Sequence, residues 1–260
     1  MNIIVGIKQV PDTAEIKIDP ATNTLIREGV ESILNPFDLY AIEEAVRLKE
    51  KYGGKVIVVS MGPPQVESAL REAVSMGADE MILLSDRKFA GADTWATSYV
   101  IAKAIEKIGD YDLIFTGQQA IDGDTAQVGP GVAAHLDIPQ VCFVSEIEDV
   151  QENKLTVKRL MDDGYDRLEV EMPVLFSVVK EINEPRLPSL RGKRTAKKAS
   201  LTVWTSDDLG TEEAKIGLNG SPTQVVKIFT PDLNKAGEKI EVSAEESAVA
   251  FVNKLKELGK

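Results

Sequence analysis

The chain opens on a continuous apolar run, residues 3–7, interrupted only by Gly6. Such a run reads as a strand buried on both faces, and a glycine near its end suggests that a ligand or another backbone passes close by. Runs at 56–59, 81–84 and 113–115 repeat the signal. Between them the period lengthens to that of a helix. Leu39, Ile42, Ala45 and Val46 form one stripe. Val66, Ala69, Leu70, Ala73, Val74 and Met76 form a second. Val100, Ile101, Ala104 and Ile105 form a third, on a helix expected over 94–108. The segment Asn35-Pro36-Phe37-Asp38 reads as a helix start. Asparagine caps, proline takes the first helical position, and Asp38 sits where negative charge suits the helix dipole. Gly53-Gly54 and Gly77 read as helix ends. Strands alternating with helices imply an α/β fold, a parallel sheet with right-handed crossovers.

The texture changes after residue 144. Segments 154–161, 165–172 and 174–179 read as strands joined by tight turns, with Asp162-Asp163-Gly164 as a hairpin turn. A second small hairpin is expected from 15–18 and 24–27 across Asp19-Pro20. Residues 180–198 read as a loop rich in Arg and Lys, with Leu187 and Leu190 exposed among the charges. That loop is either a solvated basic surface or a docking site for an acidic partner with a leucine anchor. Residues 200–237 read as an irregular arm with little core, of the kind that lies on a partner subunit. Ser243-Ala244-Glu245-Glu246 is a capping-box pattern opening a last helix. The expected division is an α/β domain over 1–199, including the docking loop, and an arm with its helix over 200–260.

Every loop that follows one of the first four strands is rich in small residues, more than turning requires. In such sheets ligands bind at that edge, near the point where the strand order reverses. The fourth loop, within 116–136, reads TGQQAIDGDTAQVGPGVAAHL and turns helical through Val132, Ala133 and Leu136. A strand, a small-residue loop and a helix start offer free backbone N–H groups to an anion. Gly123, Gly129 and Gly131 would permit close backbone approach, and Asp124 or Thr125 would cap the helix. Read alone, this is equally an ordinary βα loop. It matches neither the lysine-containing phosphate loop nor the dinucleotide glycine pattern.

Composition narrows the partners. At 260 residues with 43% apolar content the chain suits one large domain or two small ones. A net charge of −12 argues against nucleic acid. A single cysteine, Cys142, excludes an internal disulfide, and with a single histidine, His135, leaves no familiar metal-ligand set. No metal site is expected, and neither Cys142 nor His135 is assigned a function. The opening MNIIVGIKQV is too short and too soon polar for a signal peptide, and no apolar run would span a bilayer. A cytoplasmic chain with no membrane insertion is expected.

Four segments together resemble the β subunit of electron transfer flavoproteins: VGIKQVPD, NPFDLYAIEEAVRLKEK, GQQAIDGDTAQVGP and VKRLMDDGYDRLEVEMPVLFSVVKEINEPR. The resemblance covers essentially the whole chain. It implies a Rossmann-like parallel sheet of the adenine nucleotide α-hydrolase-like kind, shared with universal stress proteins, with a small β-hairpin addition and an extended C-terminal arm. It implies a heterodimer with an α subunit that holds the electron-carrying FAD. The positions it carries over to an adenine nucleotide are Gly6, Asn35, Pro36, Phe37, Asp38, Met61, and the stretch Gly123, Asp124, Thr125, Ala126, Gln127, Val128, Gly129, Pro130, Gly131, Val132, Ala133 and Ala134.

The nucleotide would be a structural AMP or, in an electron-bifurcating subgroup, a second FAD reduced by NADH. The segment SDRKFAGADTWAT looks like the bifurcating type, which adds Phe89, Ala90, Gly91, Ala92, Asp93 and Thr94 to the expected site, with Arg87 and Gln127 as candidates to tune the flavin. The electrons would then go to ferredoxin or flavodoxin and, through the α-subunit FAD, to an acyl-CoA dehydrogenase. Leu190, with Arg191, Lys193 and Arg194, lies where the family places its dehydrogenase anchor. No catalytic acid or base is expected, because the chemistry belongs to the cofactor. Two other classes stand beside this one: a nucleotide-binding module like a universal stress protein, and an ATP-cleaving ligase of the same fold. The arm and the basic loop count against the first, and the lack of a lysine in the glycine loop against the second.

Overall fold

The computed structural model describes residues 1–12, 32–226, 242–257 and 259. The expected hairpin at 15–18 and 24–27 lies outside the described residues. In chain order the elements are β1 (Asn2–Gly6), β2 (Gln9–Pro11), β3 (Ser32–Leu34), α1 (Pro36–Tyr52), β4 (Lys55–Met61), α2 (Glu67–Met76), β5 (Glu80–Leu84), α3 (Thr94–Ile108), β6 (Leu113–Gly117), α4 (Val128–Leu136) and β7 (Gln140–Val150). Then come β8 (Lys154–Met161), β9 (Gly164–Glu171), β10 (Val174–Val178), α5 (Leu190–Lys198), β11 (Leu201–Trp204), α6 (Ser206–Leu209) and α7 (Ala244–Glu257). The described residues fall into two compact units, the second represented by α7.

One sheet runs β11-β5-β4-β1-β6-β10-β7-β8-β9. From β11 across to β7 all neighbouring pairs are parallel, and β8 and β9 are added antiparallel. Alternate side chains of the central strands serve opposite faces, as a pleated strand requires. Ile3, Val5, Val56, Val58, Leu113 and Phe115 pack under α1 and α2. Ile4, Ile57, Val59 and Ile114 pack under α3 and α4. Ile3, Ile4, Phe115 and Phe176 are completely buried. Each such side chain is worth roughly 1.5–3 kcal/mol of burial. The expected Rossmann-like parallel sheet is what the chain forms, and the helix expected over 94–108 is α3.

Three expectations are corrected. First, residues 140–150, to which the pattern assigns no element, form a strand, β7. It leaves the buried sheet beside β10 and continues, past register shifts near Glu146 and Asp149, as the partner of β8. Phe143 stands at φ 61°, so the alternation breaks where the strand changes partners. Second, the arm expected to be irregular from residue 200 begins with β11, which extends the sheet beside β5, and Leu209 and Ile216 are buried in the α3 and α4 core. Third, the basic loop at 180–198 contains a helix, α5, capped by Ser189, whose Oγ accepts from Gly192 N. A Cβ on Gly192 would run into Ser75 O, so α5 presses against α2, and Arg71 donates to the carbonyls of Ala196 and Ala199.

In α7, Ser243 and Glu246 make the expected capping box, with Ser243 Oγ 2.7 Å from Glu246 Oε2 and Glu246 N donating to Ser243 Oγ at 3.4 Å. Among the described residues no helix is long and apolar enough to cross a membrane.

Candidate functional site

The strand order turns back at β1. The chain goes from β1 to β4 and β5 on one side and returns to β6 on the other. The chain leaving β1 leads to α1 on one face and the chain leaving β6 leads to α4 on the other, and sheets of this topology take ligands in the crevice at that edge. Gly6 ends β1 there. A Cβ on Gly6 would stand 3.4 Å from Thr116 Cγ2 of β6, and the buried Thr116 hydroxyl oxygen has no hydrogen-bond partner among the described residues.

The first turn of α1 ties these two loops together. Asn35 does not cap α1 with its side chain, contrary to expectation. Its Nδ2 donates to Gln119 O at 2.9 Å, and its Oδ1 accepts from Ile121 N at 3.3 Å. The asparagine is diverted because the β6 loop presents backbone groups that have no other partner. Asp38 accepts from Lys8 N at 2.7 Å and from Gly117 N at 3.2 Å. Burial pushes its carboxyl up to about 7, against the lowering effect of those hydrogen bonds, Asn35 and the Lys8 charge. Outside them, Lys8 Nζ reaches Asp122 at 2.6 Å. Lys8, Thr116, Gly117 and Asp122 are not among the expected site residues, although the last three lie within the stretch 116–136. Only the glycine carries a readable signal, as a small residue closing an apolar strand.

Beyond Gly117 the loop holds two non-glycine residues, Asp124 and Ala126, at a left-handed φ of 53°. That conformation costs a side-chain-bearing residue roughly 1 kcal/mol. Gly123 N and Asp124 N both donate to Ala120 O. Helix α4 starts at Val128, so Asp124 and Thr125 lie too far upstream to cap it, and Gln127, the residue before it, makes no side-chain cap. Its Oε1 instead accepts from Thr94 Oγ1 at 3.0 Å, joining this loop to the start of α3. Among the described residues, the N–H groups of residues 125–129 meet no protein acceptor, and Pro130 has none to offer. Unspent N–H groups at the positive end of a helix dipole suit an anion.

The three glycines of this stretch divide. A Cβ on Gly129 would lie 2.8 Å from Thr116 Oγ1, and one on Gly131 would collide with Ser98 Oγ. These two let α4 seat on β6 and α3. Around Gly123 nothing stands within 4 Å. Val132 and Ala133 are buried in the core under α4, while Ala134 is exposed.

Across the crevice, Met61 ends β4 half-buried. The loop after β5 is held differently. Asp86 accepts from Lys88 N and Ser206 N. Phe89 is buried in the core. Ala90 and Gly91 are exposed, Gly91 at φ 77° with Leu218 beside it. Asp93 caps α3 by accepting from Trp95 N and Ala96 N, and its other oxygen accepts from Thr223 N and Oγ1. Arg87, Lys88 and Ala90 leave this loop facing outward, and Lys88 pairs with Asp207 and Glu213.

Leu190, Arg191, Lys193 and Arg194 are not part of this assembly. They lie on α5, which packs on α2. Leu187 and Leu190 are 90% and 80% exposed, and Arg191, Lys193, Arg194, Lys197 and Lys198 form no ion pair among the described residues. The segment before α5 is fastened to α1. Arg186 bridges Glu43 and Glu50, and Asn183 donates to Glu44. Burial pushes Glu43 up, but Arg186 and Arg47 outweigh it and hold the carboxyl below its ordinary value. The His135 ring lies 4.2 Å from that of Trp95, tilted by 41°, and no His, Cys, Asp or Glu cluster among the described residues could hold a metal.

A family model for the electron transfer flavoprotein domain matches residues 22–209. The chain is 55% identical, over 98% of both chains, to the electron transfer flavoprotein subunit beta of Thermoanaerobacterium thermosaccharolyticum. It is 50% identical to the caffeyl-CoA reductase-Etf complex subunit CarD of Acetobacterium woodii, over 99% of this chain and 98% of that one. It is 49% identical to Protein FixA of Azotobacter vinelandii, over 93% of this chain and 88% of that one. With a family model over most of its length and likeness to these relatives over nearly all of it, the chain belongs to the electron transfer flavoprotein family, as a β subunit.

Proposed function

We propose that the chain is the β half of a heterodimer with an electron transfer flavoprotein α subunit, and that its crevice holds FAD. The observation that carries the reading is the row of unspent N–H groups at 125–129, beside the side-chain-free surface of Gly6 and the unpartnered Thr116 hydroxyl. A diphosphate is the ligand that this row suits, because each free N–H would gain an acceptor and the helix end would gain a negative charge. When bound, the flavin would supply the redox chemistry, accepting hydride from NADH and passing one electron to ferredoxin or flavodoxin and one to the α-subunit FAD.

The chain's own residues position and shield. Gly6 would let an adenosine approach the end of β1. The Thr94–Gln127 hydrogen bond joins the two loops that would flank the ligand. Ala90, Gly91 and Ala92 leave a low wall for an extended flavin on the β5 side. That wall favours FAD, whereas AMP as a structural ligand would need only the β1 and β6 loops. A third reading, a free-standing nucleotide-binding module, is disfavoured by the exposed Leu190 on a basic helix and Leu187 just before it.

The experiment is to purify the heterodimer, denature it and count nucleotides. Two FAD per heterodimer supports the reading, and one FAD with one AMP ends it in favour of the non-bifurcating alternative. The docking role of α5 has its own test. Leu190→Ala is expected to slow electron delivery to an acyl-CoA dehydrogenase severalfold while flavin content stays unchanged, since an exposed anchor leucine contributes to binding and little to folding. Unchanged transfer kinetics removes Leu190 from that role.

A further inference from the structure

We propose that Asn35 and Asp38 are positioning residues: the first turn of α1 sets the spacing between the β1 and β6 loops, and so the affinity for an adenylated ligand, without either side chain touching it. The inference rests on the nucleotide reading of the crevice given above. All the polar capacity of the two side chains is turned inward. Asn35 is 1% exposed and Asp38 5%. One Asp38 oxygen takes the N–H of Lys8, just past β1, and the other takes the N–H of Gly117, which ends β6. Asn35 holds Gln119 O and Ile121 N, two positions further along the same loop.

One helical turn therefore grips both lips of the crevice. Gly117 is the point of closest approach. A Cβ there would meet Asp38 Oδ1 at 2.5 Å and the Phe37 carbonyl carbon at 2.6 Å. Residues 125–129, with the unspent N–H groups, follow the gripped segment directly, so a shift of residues 117–121 moves the anion cradle with it.

The grip depends on the charge of Asp38. Two N–H donors are held more strongly by a carboxylate than by a carboxylic acid, whose hydroxyl is a poor acceptor. Burial places the proton uptake of this carboxyl near neutrality. The charged group facing it is Lys8, from the β1 end, itself paired with Asp122 of the β6 loop. On α1 the nearest carboxylates, Glu43 and Glu44, are engaged by Arg186 and Asn183. Gly117 and β10 bring no charge. Burial also raises the Glu44 carboxyl, but Glu44 holds Asn183 and neither lip of the crevice, so Asp38 is the raised carboxyl that grips both lips.

The test uses the copurified heterodimer, stripped of nucleotide and titrated calorimetrically with FAD and, separately, AMP at pH 6 and pH 8. In the natural chain both probes are expected to bind less tightly at pH 6. Asp38→Asn, which keeps one acceptor and loses the charge, is expected to weaken FAD binding roughly tenfold at pH 8, the loss of about one charge-assisted hydrogen bond. It is also expected to flatten the FAD profile. The titration of the AMP phosphate itself persists in both proteins and cancels in their ratio. Asn35→Ala is expected to weaken binding at both pH values equally. Asp38→Asn binding within twofold of the natural chain, or keeping its pH profile, overturns the inference while the nucleotide reading stands. Should Asp38→Asn not fold, the pH dependence of FAD binding in the natural chain decides, and a flat profile overturns it. A natural heterodimer that binds neither probe overturns the nucleotide reading itself, and the inference with it.

Discussion

The loop after β6 and the loop after β5 leave the same edge of the same sheet, yet they use their polar groups in opposite ways. After β5 the acidic groups are spent inside the protein. Asp86 and Asp93 each cap a helical turn with one oxygen and hold a later segment, at Ser206 and Thr223, with the other. After β6 the first half of the loop is gripped by α1, but the second half leaves its N–H groups unpaired and keeps Asp124 and Ala126 in a costly conformation. A segment whose hydrogen bonds are satisfied internally behaves as a wall. One whose donors point outward is built to be completed by something else.

The contrast can be broken at its strongest point first. Gly117→Ala forces a Cβ into Asp38 and the Phe37 backbone. A loss of about 3 kcal/mol or more in denaturant unfolding is expected, together with loss of bound nucleotide. Stability close to that of the natural chain would mean that α1 and β6 can separate without cost. Asp93→Ala acts on the wall. It removes the cap of α3 and the tie to Thr223, and about 1–2 kcal/mol of stability is expected to go with them. Although burial raises the Asp93 carboxyl, hydrogen bonds from Ala96, Thr223 and Trp95 outweigh it and hold the carboxyl below its ordinary value. The stabilisation is therefore full above the unfolded carboxylate range and is lost as pH falls through it and below. In Asp93→Ala the acid limb of the stability profile is expected to be shallower, and an unaltered limb would remove Asp93 as its source.

The smallest stability effect belongs to Gly123→Ala. Nothing stands near this position, so unfolding is expected to change by no more than ~0.5 kcal/mol. Nucleotide affinity sharpens the comparison, because a ligand that approaches the loop there is displaced by the added methyl. A Gly123→Ala chain that binds FAD as tightly as before moves the contact downstream, to residues 125–129.

The sequence made the parallel half of the sheet legible because its strands are buried on both faces and its helices carry clean stripes. The switch-point crevice was legible for the same reason, since topology alone puts Gly6 and the β6 loop at one edge. What escaped was whatever depends on contacts across the chain. Asn35 has every local mark of a cap, yet distant backbone groups in the β6 loop take its side chain. Gly129 and Gly131 look like ligand glycines and are required by packing on Thr116 and Ser98. In β7 the alternation breaks at the register shifts near Glu146 and Asp149. Helix α5 hid among prolines and lysines, and its buried residue is a single alanine, Ala196, one turn after Gly192, which lies against Ser75.

Helix α1 has a consequence that reaches past either end. Its first turn grips the crevice, and further along it Glu43, Glu44 and Glu50 bolt down the segment that leads into α5. A helix of 17 residues spans about 25 Å and bends little over that length. It would set the distance between the crevice proposed to hold the flavin and the lead into the helix proposed to anchor the dehydrogenase. For a reaction whose rate falls steeply with separation, a stiff spacer of that kind keeps thermal jostling of the outer surface from altering the gap.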